Sequence, residues 1–176
     1  MIRLAAVFFS GFALMACSST QREPPRSIPI AKATVLPLAL DNDFDFRKVS
    51  LFYHDPRDPN AVRPTQDAMI AFERARRIFG AVNNYDRAER YGHYFDVWWR
   101  AKRPASITVR LEYRQQNIGS HVQAKEFSYT NVKGTVETKF TVIGDEYTEE
   151  GKVTSWRLLL IENGKIVGIR QSFLWN

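Results

Sequence analysis

Cysteine occurs once in this chain of 176 residues, at Cys17, which excludes an intrachain disulfide, a zinc–thiolate cluster and a paired-thiol redox site. Long apolar runs are missing as well. The stretch from Leu4 to Leu14 falls short of the roughly 20 residues that a membrane-spanning helix needs. No HExxH, G-x-S-x-G, Walker or G-x-G-x-x-G pattern occurs, so zinc peptidase, serine hydrolase, nucleotide and dinucleotide chemistries lack local support. His54, His93 and His121 lie too far apart to share a helical face. Asp41, Asp43 and Asp45 alternate like the first ligands of a calcium loop, but Phe46 and Phe52 stand where that loop requires glycine and glutamate. The three aspartates are read as an acidic turn before a strand, and neither a metal nor a cofactor is expected. Asp145, Glu146, Glu149 and Glu150 read as a solvated inter-strand loop, although a pair of hydrolytic carboxylates leaves no linear signature.

The N-terminus carries Arg3, then the apolar run, then Ala16, which are the parts of a secretory signal over residues 1–16. Leu14-Met15-Ala16-Cys17 resembles the lipobox of bacterial lipoprotein precursors. The resemblance implies a diacylglyceryl thioether on Cys17, cleavage after Ala16 and acylation of the new amine. Each buried methylene contributes about 0.8 kcal/mol, and several chains hold where one is marginal, so a triacylated Cys17 is a durable membrane anchor. Ser18 and Ser19 stand where an inner-membrane retention aspartate would, which by the same resemblance favours the outer membrane, facing the periplasm. Cleavage removes Arg3 and no acid, lowering the net charge from +6 to +5. A basic protein in that compartment meets anionic envelope components or another envelope protein, and no nucleic acid.

Residues 17–30 combine Ser, Pro and charge and read as the lipidated cysteine and a flexible tether, able to hold the domain about 40 Å from the membrane. Residues 31–90 read as an N-terminal extension with a helix at about 65–82. Ala68, Met69, Ala71, Phe72, Ala75, Ile78 and Phe79 share one face of that helix, and Glu73, Arg74 and Arg77 the other. Ile70 lies among the charges and Arg76 within the apolar sector, both against the pattern. The spacing predicts a helix packed by its apolar face on a sheet, with a helix lying on anionic lipid as the alternative.

From residue 91 to 176 the period is two. Six strands are predicted, over 94–100, 107–113, 122–129, 135–143, 153–162 and 165–175, and Val49, Leu51 and Tyr53 suggest a seventh. Asn163-Gly164 is the preferred two-residue hairpin turn. If it sets the register throughout, Leu158 faces Ile169, Leu160 faces Val167, and Arg157 lies directly across from Arg170. Like charges in that position repel. The pair therefore needs either a carboxylate from a neighbouring strand, such as Glu112 or Glu137, or an anion on a ligand or partner. Trp98 and Trp99 point to opposite faces; one belongs to the core, and Trp98 is the candidate for aromatic contact with a sugar or partner.

Strand count, spacing and tryptophan placement resemble immunoglobulin-like or fibronectin type III domains, without the paired cysteines of antibody domains. The expected fold is mainly β, an antiparallel sandwich preceded by one amphipathic helix. The alternative is an α+β fold, with a helix on a curved antiparallel sheet as in cystatin-like or nuclear-transport-factor-like domains. The expected function is a lipid-anchored, non-enzymatic interaction module, with a ligand- or glycan-binding lipoprotein as the alternative.

Overall fold

Apolar and polar residues alternate after Tyr91 for much longer than an ordinary strand lasts. The computed structural model describes residues 28–30, 35–58 and 68–175. In it this region forms two long antiparallel partners, β3 (Gly92–Gln115) and β4 (Gln123–Ile143). The sequence predicts four strands here because Pro104 and Gly134 look like turn signals. They mark bends instead. The β3–β4 register shifts between Ala101 and Ala105 and again before Ile107, while Asn131 (φ 49°) and Gly134 (φ 100°) take left-handed backbone on the opposite strand. Bulges of this kind bend a strand and tolerate a proline, since they ask no ladder hydrogen bond of it.

The bent hairpin carries two half-sheets. On the first, β2 (Phe44–His54) pairs with residues 92–101 of β3. On the second, β5 (Val153–Glu162) pairs with residues 108–115 of β3, β6 (Lys165–Gln171) pairs with β5, and β1 (Ile28–Ile30) borders β4. These six strands are antiparallel members of one sheet, and the protein is mainly β, as the periodicity predicts. Two layers arise because one sheet folds over itself. Phe127 and Phe140 of β4 lie on different halves, yet their ring centres are 5.0 Å apart. Trp99 meets Tyr129 at 5.4 Å and Phe95 meets Trp156 at 6.1 Å across the same interior. Val97, Val109, Leu111, Leu158, Leu160 and Val167 fill the remaining space. Phe44 of β2 belongs to this core, so the packed unit reaches back across residue 91 into the predicted extension.

The last hairpin corrects the predicted register. Ile161 faces Ile166 and Glu162 faces Lys165, as the Asn163-Gly164 turn dictates, but an irregularity after Leu160 shifts every later pair by one residue. Leu159 then faces Ile169, and Leu158 faces Arg170. The strand ends at Gln171, and a turn carries Phe173 into solvent and folds Trp175 back against the sheet. Residues 158–161 are buried on both faces of β5, because Leu36 packs over Leu159, Ile161 and Ile166. Residues 37–41 run parallel to β6, with Ala39 N–H donating to the Ile166 carbonyl at 2.8 Å and Ile166 N–H to the Pro37 carbonyl at 2.9 Å. One edge of the sheet is thereby covered.

The helix α1 (Ala68–Ile78) packs the opposite way to the prediction, and none of its residues is buried. It lies against the outer face of the first half-sheet through Glu73, Arg74, Arg77 and Ile78, which are half-buried. Met69, Phe72 and Phe79 point away, 74%, 63% and 84% exposed. The reason is the surface beneath. Asp96 of β3 is buried on that outer face and ion-pairs with Arg77, whose guanidinium also lies 4.6 Å from the ring centre of Tyr94. An unpaired buried carboxylate costs more than an exposed apolar side chain, so the charged stripe faces inward. Ile70, out of pattern in the sequence, falls on this same stripe. The short helices α2 (Asn84–Ala88) and α3 (Asp145–Glu150) close the connections.

Candidate functional site

Adjacent strand residues point to opposite faces, and Trp98 and Trp99 do so. Trp99 enters the core, its Nε1 donating to Thr138 Oγ1 at 2.9 Å. Trp98 is half-buried on the outer face of the first half-sheet, with the Lys48 ammonium 5.0 Å from its ring centre. Two residues along the same face stands exposed Arg100, and Lys139 lies opposite Asp96.

Arg157 and Arg170 are not brought together. Arg157 sits opposite Glu112 of β3, its Nε donating to Glu112 Oε2 at 2.9 Å, and Glu112 is almost fully buried. Arg110 reaches the same carboxylate at 3.5 Å and also ion-pairs with Glu126. The Trp175 ring lies beneath Arg157 and Arg114, at 4.9 Å and 4.5 Å. A neighbouring-strand carboxylate thus takes Arg157, while Arg170 is exposed on β6. Cys17 lies outside the described residues.

A polar network that sequence reading missed joins the end of β2 to α3. Tyr147 donates to Asp55 Oδ2 at 2.9 Å, its hydroxyl lies 2.8 Å from that of Tyr53, and Tyr53 donates to Asp58 at 2.9 Å. Lys152 ion-pairs with Asp58, and Arg57 grips Asp55 through both Nε and Nη2. Burial opposes ionisation of Asp55, yet hydrogen bonds from Arg57 and Tyr147 hold it below the usual carboxylate range. Burial pushes Tyr147 up to about 12. Beside this network, burial and then the Lys152 charge lower His93 to about 4, and its neutral Nε2 accepts the Val153 N–H at 3.2 Å. These contacts lock residues 55–58 onto α3, and each carboxylate in them is already engaged. Spatial closure of Tyr53, Asp55 and Tyr147 spans more than ninety positions, which no local pattern announces.

The alternating aspartates surround an arginine. Arg103 meets Asp41 at 3.2 Å, Asp43 at 3.4 Å and Glu162 at 2.7 Å, tying the start of β2 to the last hairpin. Among the described residues no group of three or more His, Cys, Asp or Glu side chains is placed to hold a metal.

Two open features of the described residues bear on function. A surface cleft of about 420 Å³ lies between β1 and α3, lined by Pro29, Ile30, Tyr113, His121, Glu146 and Glu150 among others. Glu146 accepts from the Tyr113 hydroxyl and pairs with Lys125, and Glu150 accepts from Gln123. The second feature is the outer edge of β2, which pairs only with β3 and leaves residues 49–54 without a neighbouring strand among the described residues. Leu51 on that strand is 52% exposed. No described helix is long and apolar enough to cross a membrane. No protein-family model matches the chain, and neither a curated protein nor a solved structure does.

Proposed function

We propose that this protein is a non-enzymatic interaction module, anchored by lipid on Cys17 in a bacterial envelope and facing the periplasm, which binds another envelope protein along the outer edge of β2. The carrying observation is where unmet capacity lies. The interior is filled by Trp99, Phe95, Phe140 and their neighbours, and the carboxylates of the polar network are bound to cations and hydroxyls. An open strand edge, by contrast, offers backbone donors and acceptors to a partner strand. On the same flank of β3 as β2, the free side of β6 is already covered by residues 37–41.

A photocrosslinker in place of Leu51, in cells, tests the reading against the same group at Phe173 on the other half-sheet. The expected result is capture of one envelope protein from position 51 only, with the product lost in Cys17→Ala, which also loses incorporated fatty acid. Equal capture from both positions rejects the edge as the site.

The cleft between β1 and α3 favours a second reading, a ligand- or glycan-binding lipoprotein. Its volume falls within the range of small-molecule sites, but Tyr113 is the one Phe, Tyr or Trp side chain that lines it, where such sites commonly present several. Saturable chemical-shift changes confined to Ala124, Tyr113 and Glu146 on adding oligosaccharides would support that reading over the first.

A further inference from the structure

The outward side of α1 is the side its sequence marks for burial, and an apolar face this exposed demands an occupant. Met69, Phe72 and Phe79 line it. We propose that this face docks on the surface of an anionic phospholipid bilayer.

Direction and charge both support that occupant. Arg77 of α1 contacts Asp96 and Tyr94, which belong to the outer face of β3. Trp98 and Arg100 lie further along that face, by the alternation of a strand. The apolar side of α1 and these residues therefore look the same way. Four acids beside α1 and along this strand face are each matched: Asp96 with Arg77, Glu73 with Arg76 at 2.9 Å, Glu137 with Lys139 at 3.3 Å, and Asp45 with Arg47 at 3.1 Å. Lys48 and Arg100 add positive charge beyond that balance. Arg76 stands inside the apolar sector itself, 41% exposed. An apolar helix face, a half-buried tryptophan and a basic rim are what an interfacial segment presents to lipid, its apolar side sinking about 5–10 Å into the headgroup boundary. The same charges argue against a second copy of the chain. A twofold contact sets a patch against itself, which would oppose Lys48 and Arg100 to their equivalents. Docking of this kind needs no lipid on Cys17 and orients the domain, which an anchor at Cys17 alone does not.

The test uses the full chain with Phe72→Cys, labelled with a polarity-sensitive fluorophore in a Cys17→Ala background, so that the label is unique and the lipid anchor is absent. It is mixed with vesicles of phosphatidylcholine, with or without phosphatidylglycerol. The expected result is a blue-shifted emission, quenched by nitroxide at headgroup depth, with the anionic vesicles only. A label at Phe173→Cys should stay in water. Lys48→Gln or Arg100→Gln should each lower the docked-to-free ratio about fivefold. An unshifted emission with anionic vesicles, or an equal shift with neutral ones, overturns the proposal. A shift that grows with protein concentration in the absence of vesicles also overturns it, in favour of self-association. Because the background lacks Cys17, failure here leaves the lipid-anchor reading standing, and loss of fatty acid in Cys17→Ala tests that reading separately.

Discussion

His93 accepts a backbone hydrogen bond that only its neutral form can accept, and it does so where burial and Lys152 both oppose a proton. Its folded value, about 4, lies below the 6.5 of a free imidazole. The unfolded chain therefore binds more protons below that higher value. Stability should be full above about pH 6.5, fall as the pH drops toward 4, and level off there, for a total loss on the order of 3 kcal/mol. The nearby hydroxyls of Tyr53 and Tyr147 stay protonated throughout this window, since both are shifted upward. Urea unfolding of the parent and of His93→Gln at several pH values measures the effect. The variant should lose most of the dependence between those limits, and equal slopes in both proteins would show that His93 does not carry it. Its neighbour Gly92 faces a steric demand. Its φ is +138°, and a Cβ there would run into the Val142 carbonyl oxygen of β4. Gly92→Ala should cost more than about 2 kcal/mol, read from the same urea curves.

At the scale of single elements, the last hairpin separates what a turn specifies from what it does not. Asn163-Gly164 correctly places Ile161 opposite Ile166, because a two-residue turn fixes the nearest pairs. The shift after Leu160 was signalled only by Gly168, a glycine inside a strand, which often marks a bulge or a close approach. Here Leu160 lies against it so closely that an added Cβ would sit 3.0 Å from the leucine Cδ1. The consequence is that Arg157 and Arg170 are energetically separate. Arg157→Ala strips one cation from buried Glu112 but leaves Arg110 at 3.5 Å, so it should cost about 2 kcal/mol, less than the loss of a sole partner. Arg170→Ala should change stability by less than about 0.5 kcal/mol. A double-mutant cycle should give a coupling below about 0.5 kcal/mol. A larger, repulsive coupling would restore the directly opposed pair. Pro104 and Gly134 teach the same lesson, since each is a punctuation mark that reads alike for a turn and a bend.

For the whole molecule, periodicity made strand content legible because β3, β4 and β5 each turn one face to the interior, and it missed how the layers form because bending depends on pairing between distant segments. The helix α1 shows the limit more sharply. Its apolar face was evident in the sequence, but its orientation is set by Asp96, nineteen positions away from the Arg77 that answers it. Only Ile70 and Arg76, each on the wrong side, hinted at the inversion. The same long-range logic decides what counts as a unit. β3 and β4 each run through both half-sheets, so neither half can separate without breaking both strands. β2 covers one side of β3 over residues 92–101 and contributes Phe44 to the shared interior. The full chain should therefore unfold in one cooperative transition, with calorimetric and van't Hoff enthalpies equal. A fragment of residues 91–176 should not fold alone, because Phe95, Val97 and Trp99 would lose the strand that flanks them while the bent hairpin stayed open along that edge. Circular dichroism in the aromatic range and calorimetry of the two chains decide the matter. Two transitions in the full chain, or a cooperative melt in the fragment, would mean that residues 44–54 are an appendage and that the sheet stands without them.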